Sequence, residues 1–321
     1  MKQILFRLTG ILIFAYLLLG VVGVENFLHT LANLSVWVLL LIVPFHFAQW
    51  SLRIFRWQIL LRNELIRLSF WETCAIATAG FMIGSLTPGR LGEFSKVKFL
   101  MNGGYPFTGA FMSSLIERLL DIGALCFYVI LGIFICFTLL PEGSWKYLAL
   151  SVMTFAGILL LYLRRNRLRI LLMRLIPEKI ASGLENKSRV FLESFSKITP
   201  DQWFSLALHS LLIWGLNYWM IFLLFRAAGF DLPLHYALAF AAFGSLAGLI
   251  PLSIYGVGIR EAVLLLFFSQ IYPGEKAVEA SLIFGLMYLI LLLYHLLLGF
   301  LFWLSPLLLP FLKKSEDRNP A

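Results

Sequence analysis

The chain has 321 residues, of which 60% are hydrophobic and only 13% are charged. Soluble globular proteins carry about 25% charged residues, so this composition excludes a sizeable soluble domain and predicts a membrane protein. The formal net charge of +9 does not point to nucleic acid, because the basic residues stand mainly at the ends of apolar segments. The five histidines and three cysteines show no metal-ligand spacing, so we expect neither a metal nor a cofactor.

Six apolar segments are long enough to cross a bilayer, which takes roughly 20 residues in a helix. In chain order they are residues 8–24, 35–52 (with helix continuing towards 61), 107–140, 147–163, 203–225 and 278–304. The first segment is not followed by a signal-peptide cleavage site, so we expect it to be retained as a span. The fold class is therefore all-α and polytopic, with about six full transmembrane helices.

Two pairs of apolar segments are too short to cross comfortably. Residues 71–86 and 93–101 flank the motif TPGRLGE, and residues 235–250 and 260–271 flank a second break that ends in GVG. We predict that each pair forms a re-entrant helical hairpin. Broken helices at matching places in two halves are typical of transporters built from inverted repeats.

Short sequence matches support two repeats in a single membrane domain over residues 1–321. The tripeptide SLI occurs at 114–116 and again 167 residues later at 281–283, and the same interval joins Gly89 to Gly256. The tripeptide GSL precedes both breaks. We place the first half at about 1–163, a basic cytoplasmic loop at 164–202 and the second half at about 203–312.

The basic residues predict the orientation. The N-terminus, the stretch from Arg53 to Arg67, the loop 164–202 and the C-terminal tail hold 18 of the 26 Lys and Arg residues. The opposite loops hold three. By the positive-inside rule, both termini lie in the cytoplasm, and the protein is a multi-pass protein of the cytoplasmic (inner) membrane.

Charged residues beside the breaks are the candidate site, because charge at membrane depth is costly and usually functional. The predicted substrate-binding residues are Arg90, Glu93, Glu117, Arg118, Asp121, Arg260 and Glu261. The predicted hinge residues are Pro88, Gly89, Gly92, Gly256 and Gly258. Arginines would meet a phosphate, and carboxylates would orient the arginines or carry protons. The alternative is that these charges only fix helix packing. Lys96 and Lys98 are expected to extend to the cytoplasmic surface.

Four motifs give a family resemblance over nearly the whole chain. They are RxxRW at 53–57, TPGRLGE at 87–93, SLIERLLD at 114–121 and GVGIRE at 256–261. They resemble the flippase-like membrane domain of lysylphosphatidylglycerol synthases and its stand-alone relatives. In those synthases the domain is thought to flip an aminoacylated phospholipid. The soluble aminoacyl-transfer domain of the synthases is absent here, so the resemblance does not imply lipid synthesis.

The functional prediction is a lipid transporter rather than an enzyme. It would move an anionic or lipid-linked head group between leaflets, with a phospholipid or polyprenyl-linked lipid as cargo. Enzymes of lipid synthesis are further candidate partners, and the oligomeric state is left open. One alternative is a membrane enzyme acting on a lipid phosphate, such as a polyprenyl-diphosphate phosphatase, because Glu117 and Asp121 come close to an ExxxE pair. A second alternative is a scaffold for lipid or glycolipid synthesis.

Overall fold

The fold is described from a computed structural model. It describes residues 35–85, 87–137, 191–249 and 254–312, together with Glu25 and Ala32. Within these ranges the regular elements are all helical, as the composition predicts. The predicted spans at 8–24 and 147–163, and most of the basic loop, lie outside the described residues.

Helices of very different length alternate along the chain. In the first half they are α1 (Val36–Asn63), α2 (Phe70–Ser85), a 3₁₀ segment (Pro88–Phe94), α3 (Ser95–Asn102) and α4 (Phe107–Ile135). In the second half they are α5 (Pro200–Ala227), α6 (Leu234–Ala247), a 3₁₀ turn (Ile254–Gly256), α7 (Ile259–Phe268), α8 (Glu275–Trp303) and α9 (Leu309–Leu312).

Four helices in the described part of the chain are long and apolar enough to cross a membrane. They are α1, α4, α5 and α8, with 28 or 29 residues each. At 1.5 Å per residue, each exceeds the roughly 30 Å of a hydrocarbon core. These four confirm four predicted spans and make the chain a polytopic membrane protein.

Local sequence explains where α5 and α7 begin. The Thr199 side chain accepts a hydrogen bond from the backbone N–H of Gln202, whose side chain in turn accepts one from the Thr199 N–H. Pro200 follows at the first helical position, where a missing N–H costs nothing. At the start of α7, the Glu261 carboxylate accepts a hydrogen bond from the Gly258 N–H. Each helix thereby satisfies N–H groups that have no partner inside the helix.

Both chain breaks contain backbone in the left-handed region. Arg90 has a φ of 57° in the first break, and Tyr255 has the same φ in the second. Gly256 and Gly258 follow with φ of 77° and 86°. Only glycine adopts these angles without steric cost, which explains the two glycines. The left-handed residues end helical continuity and turn the chain into the short helices α3 and α7.

One long helix of each half packs against the short helix that precedes the break of the other half. Helix α4 lies against α6, and α8 lies against α2. Glycines mark both crossings: a Cβ at Gly132 would come 3.2 Å from Ala239, and one at Gly299 would come 3.1 Å from the Thr78 carbonyl oxygen. The two glycines are 167 residues apart, the interval that separates the two SLI tripeptides. The halves are therefore interleaved rather than stacked side by side.

Candidate functional site

Two arginines of α1 are buried inside the helix bundle. Arg56 has no exposed surface and Arg53 is 8% exposed. Both pair with Asp121 of α4, at 2.8 Å from an Arg56 nitrogen and 3.4 Å from an Arg53 nitrogen. In the sequence both belong to a basic stretch that follows an apolar segment, whereas in the structure α1 continues as one helix to Asn63 and buries both side chains.

The acidic residues of α4 connect this group of charges. Glu117 lies 3.4 Å from Arg56 and also pairs with Lys96 of α3. Asp121 lies 4.0 Å from Arg118, one turn away on the same helix. Glu117 and Asp121 share a helix face, as their spacing of four predicts. One helix thus supplies two carboxylates to cations from α1, α3 and its own surface.

The first break closes the network. Glu93, at the end of the 3₁₀ segment, pairs with Arg118. Two glycines of α2 make room for the charged chains: a Cβ at Gly84 would clash with Glu93, and one at Gly80 would clash with Lys96. Lys96 is only 4% exposed, so the expectation that it extends to the surface was wrong. Its neighbour Lys98 is exposed. We name the seven connected charges the buried charge network: Arg53, Arg56, Glu93, Lys96, Glu117, Arg118 and Asp121.

Arg260 and Glu261 lie in the first turn of α7, just after the second break, and do not form an ion pair with each other. The Arg260 guanidinium donates to the backbone oxygens of Gly244 and Tyr255, and its carbon lies 3.9 Å from the centroid of the Tyr288 ring. Glu261 points towards Gly285 of α8, where a Cβ would lie 1.9 Å from its carboxylate oxygen. Both side chains are almost fully buried. They hold the second break against α6 and α8.

A cavity of about 30 Å³ lies where the two breaks meet. It is lined by Gln49, Arg53, Phe81, Arg90, Ile213, Trp214, Asn217, Ser245, Tyr255, Tyr288 and His295. These residues come from α1, α2, α5, α6 and α8 and from both breaks, so the cavity belongs to both halves. A space of this volume holds about two water molecules, or one small polar group.

Arg90 is the cation of this cavity that lacks a carboxylate partner in the described part of the chain. Its guanidinium carbon lies 5.4 Å from the ring centroid of Phe81 and 5.2 Å from that of Tyr255. The side chain is half-buried and faces the cavity between these rings. Arg53, the second arginine of the wall, is already paired with Asp121. Arg90 is therefore the arginine of the wall with which an anion in the cavity could pair without displacing a carboxylate.

The structure sorts the predicted site residues into three places. Glu93, Glu117, Arg118 and Asp121 meet in the buried charge network, Arg90 lies in the cavity, and Arg260 with Glu261 lies behind the cavity wall. Of the predicted hinge residues, Pro88 and Gly89 lie at the start of the 3₁₀ segment. Gly92 sits in the same segment, where a Cβ would come 2.7 Å from the Ile83 carbonyl oxygen.

Sequence reasoning missed Arg53, Arg56 and Lys96 as members of the site. The available signal was the spacing of Arg53 and Arg56, which puts both on one face of α1 one turn apart. A second signal was the number of carboxylates in apolar sequence. Glu93, Glu117 and Asp121 each need a cation at membrane depth, and Arg118 alone cannot serve all three.

Comparison with known proteins agrees with this architecture. The chain matches the model of one protein family, described as the lysylphosphatidylglycerol synthase TM region, over residues 4–307. A search of curated proteins gives no match. With four described helices long enough to span a bilayer, the protein is a multi-pass membrane protein of lipid metabolism or transport. Because the match covers almost the whole chain, the protein belongs to the family of the lysylphosphatidylglycerol synthase transmembrane region.

Proposed function

We propose that this protein moves the head group of an anionic or lipid-linked phosphate between the leaflets of the cytoplasmic membrane. The observation that carries the proposal is Arg90, a half-buried guanidinium in a cavity between both chain breaks, with no carboxylate partner among the described residues. A guanidinium offers paired N–H donors that match phosphate oxygens. Its attraction for an anion is stronger in this low-dielectric setting than at a surface.

The ion pairs refine the predicted roles. Arg118 pairs with Glu93, and Arg260 is held by two backbone oxygens and the Tyr288 ring. The proposal therefore gives the phosphate contact to Arg90. The buried charge network and Arg260 are positioning groups that fix the helices around it. Glu117 and Asp121 neutralise the cations of α1 and α3, which makes a positive wall tolerable inside the bundle.

Two inverted repeats with re-entrant hairpins remain the proposed architecture. Three features support it: the reciprocal packing of α4 on α6 and α8 on α2, the crossings at Gly132 and Gly299, and a left-handed residue in each break. Helices α2, α3, α6 and α7 have 16, 8, 14 and 10 residues, which is short for a full crossing. With both hairpins re-entrant, both termini lie in the cytoplasm.

We propose transport without hydrolysis. A phosphatase of this class would use the acidic pair of α4 at the phosphate. Glu117 and Asp121 instead lie in ion pairs with Arg56, Lys96 and Arg53, and neither belongs to the described lining of the cavity that holds Arg90. Their charges are already compensated, which supports a structural role over general acid–base chemistry.

The test is a flipping assay in proteoliposomes. Vesicles would contain phosphatidylglycerol with a fluorescent acyl chain, and a membrane-impermeant quencher would report the labelled lipid in the outer leaflet. We expect wild-type protein to exchange lipid between leaflets at least tenfold faster than protein-free vesicles. Arg90→Gln should return the rate close to that of protein-free vesicles, because it removes the charge while leaving a non-glycine residue at the same backbone angle.

The matched control is Arg62→Gln, at the end of α1, where the arginine is exposed. It should flip lipid at the wild-type rate. Equal rates for the wild type, Arg90→Gln and protein-free vesicles would contradict the proposed function. Release of inorganic phosphate from polyprenyl diphosphate, lost in Glu117→Gln, would assign the protein to the enzymes instead.

A further inference from the structure

The residues that line the cavity also limit which lipid head groups it can accept. The charged residues among its described lining are Arg53 and Arg90, both cations, and no Asp or Glu belongs to that part of the lining. The nearby carboxylate of Asp121 lies behind the wall, 3.4 Å from Arg53. An ammonium group that entered beside the phosphate would therefore meet positive charge without a carboxylate.

Aromatic faces do not replace the missing carboxylate. An ammonium can bind over an aromatic ring, but three rings of the wall already face guanidinium groups. Phe81 faces both Arg53 and Arg90, Tyr255 faces both Arg90 and Arg260, and Tyr288 faces Arg260. A further cation on these rings would lie next to guanidinium groups that are already there and would be repelled by them. The cavity is therefore unfavourable for ethanolamine, choline or lysyl head groups.

The wall offers an acceptor to a hydroxyl group. The Gln49 side chain donates from Nε2 to the Ile213 carbonyl oxygen at 3.0 Å. A carbonyl oxygen only accepts, so the amide atom that contacts Ile213 must be the nitrogen Nε2. The remaining atom of the Gln49 amide is then the oxygen Oε1, which accepts. Gln49 is 3% exposed, and its Oε1 has no hydrogen-bond partner among the described residues. A buried acceptor without a partner is costly, and a ligand hydroxyl would satisfy it.

Neighbouring side chains add donors for oxygen atoms. The indole nitrogen of Trp214 is buried without a partner among the described residues, and it lines the same cavity. Ser245 adds a hydroxyl, and Asn217, which accepts from Gln49 at 3.3 Å, adds an amide. Gln49, Trp214, Asn217 and Ser245 thus form a neutral, polar part of the lining that can both donate and accept. That chemistry fits an alcohol better than an ion.

We propose that the cavity takes the phosphate of a lipid whose head group is an uncharged alcohol, such as glycerol, and rejects lipids whose head group carries an ammonium. This inference rests on the proposed transport function and specifies its substrate class. The phosphate binds Arg90, and a head-group hydroxyl donates to Gln49 Oε1. The cavity has room for one small polar group, which is the head-group hydroxyl, so the phosphate reaches Arg90 from the cavity mouth and the acyl chains stay outside.

The experiment compares labelled lipids that differ only in the head group, in the same proteoliposomes. Phosphatidylglycerol has the phosphate and hydroxyls, phosphatidylmethanol has the same charge but no head-group hydroxyl, and phosphatidylethanolamine and lysyl-phosphatidylglycerol carry ammonium groups. We expect phosphatidylglycerol to exceed phosphatidylmethanol by about three- to tenfold, the range of one net hydrogen bond. Both ammonium lipids should flip more slowly than phosphatidylmethanol.

Variants at Gln49 test the acceptor. Gln49→Leu should make the rates of phosphatidylglycerol and phosphatidylmethanol equal, whereas Gln270→Leu at an exposed site should keep the wild-type ratio. Gln49→Glu retains the acceptor and adds a carboxylate to the wall. It should raise the phosphatidylethanolamine rate relative to phosphatidylglycerol, and it keeps the test decisive if Gln49→Leu does not fold.

The outcomes separate this inference from the proposed function. Equal flipping of ammonium and glycerol lipids, still dependent on Arg90, would overturn the head-group inference and leave transport intact. No flipping of any lipid above protein-free vesicles would overturn the transport function itself. Inhibition by soluble glycerol phosphate as strong as that by short-chain phosphatidylglycerol would assign the site to a free phosphate ester and overturn the lipid assignment.

Discussion

Arg90 and Tyr255 meet across the two chain breaks, with the guanidinium carbon 5.2 Å from the centroid of the phenol ring. Both residues have a φ of 57°, which non-glycine residues rarely adopt. Such conformations cost about 1–3 kcal/mol each and concentrate at functional sites. The surrounding helices therefore hold two strained residues in contact beside the cavity that both breaks line.

The Tyr255 ring should matter for transport through its aromatic face. A cation over an aromatic ring is worth about 0.5–2 kcal/mol, so Tyr255→Leu should lower the flipping rate by about two- to thirtyfold. Tyr255→Phe keeps the ring and should remain near the wild-type rate in the same vesicle assay. A Tyr255→Leu protein as fast as wild type would show that the ring does not position Arg90.

Asp121 should be the most sensitive carboxylate for stability. It lies within 4.0 Å of Arg53, Arg56 and Arg118, so Asp121→Asn removes the carboxylate partner of Arg53 among the described residues and one of the two partners of Arg56 and of Arg118. Removing one partner of a buried ion pair costs about 3–5 kcal/mol. We expect a clearly lower melting temperature in detergent, measured by intrinsic tryptophan fluorescence.

The control for that measurement is Asp231→Asn. The Asp231 side chain is 95% exposed and lies 3.9 Å from Arg226. Exposed ion pairs contribute little, so its melting temperature should equal that of the wild type. A similar loss in both variants would mean that the amide substitution acts through something other than the buried charge network.

Gly285 should not tolerate a side chain. A Cβ there would lie 1.9 Å from a carboxylate oxygen of Glu261, so Gly285→Ala must displace Glu261 from the second break. We expect lower thermal stability and slower flipping. Gly123→Ala is the matched helix substitution, because a Cβ at Gly123 meets nothing within 4 Å. Alanine favours helix over glycine by about 1 kcal/mol, so this variant should be as stable as wild type or more stable.

Cysteine accessibility should report the proposed topology. In a background with Cys74, Cys126 and Cys136 replaced by alanine, Met101→Cys follows the first hairpin and Glu275→Cys follows the second. Both native residues are exposed. With two re-entrant hairpins, a membrane-impermeant maleimide should label Glu275→Cys in intact cells, and Met101→Cys only after permeabilisation. Labelling of Met101→Cys in intact cells would contradict the inverted-repeat arrangement.

Helix identity and approximate helix bounds could be predicted from the sequence because membrane spans depend on local composition. The span predicted at 203–225 is α5 at Pro200–Ala227, and the span predicted at 278–304 is α8 at Glu275–Trp303. The first break was placed correctly because Pro88 and the glycines around it are local signals. Helix α2 ends at Ser85, just before that break.

Partners of the charged residues could not be predicted in the same way, because they depend on which helices are neighbours. Arg53 follows an apolar run and resembles an arginine at a membrane surface, yet α4 brings Asp121 to it. Lys96 resembles a lysine that reaches the cytoplasm, yet Gly80 lets it enter beside α2. The spacing of Glu117 and Asp121 predicted that they share a helix face, but it could not predict which cations of other helices pair with them.

The interleaving of α4 with α6 and of α8 with α2 has a consequence for biosynthesis. When α2 and α4 leave the ribosome, they can pack against α1 and α3, but α8 and α6, their partners from the second half, have not yet been made. Until α6 and α8 are inserted, the glycine crossing points at Gly132 and around Thr78 face lipid or a chaperone instead of protein. Maturation of the first half thus waits for translation of the second, and a chain truncated before α6 would present the membrane quality-control machinery with helices that lack their partners.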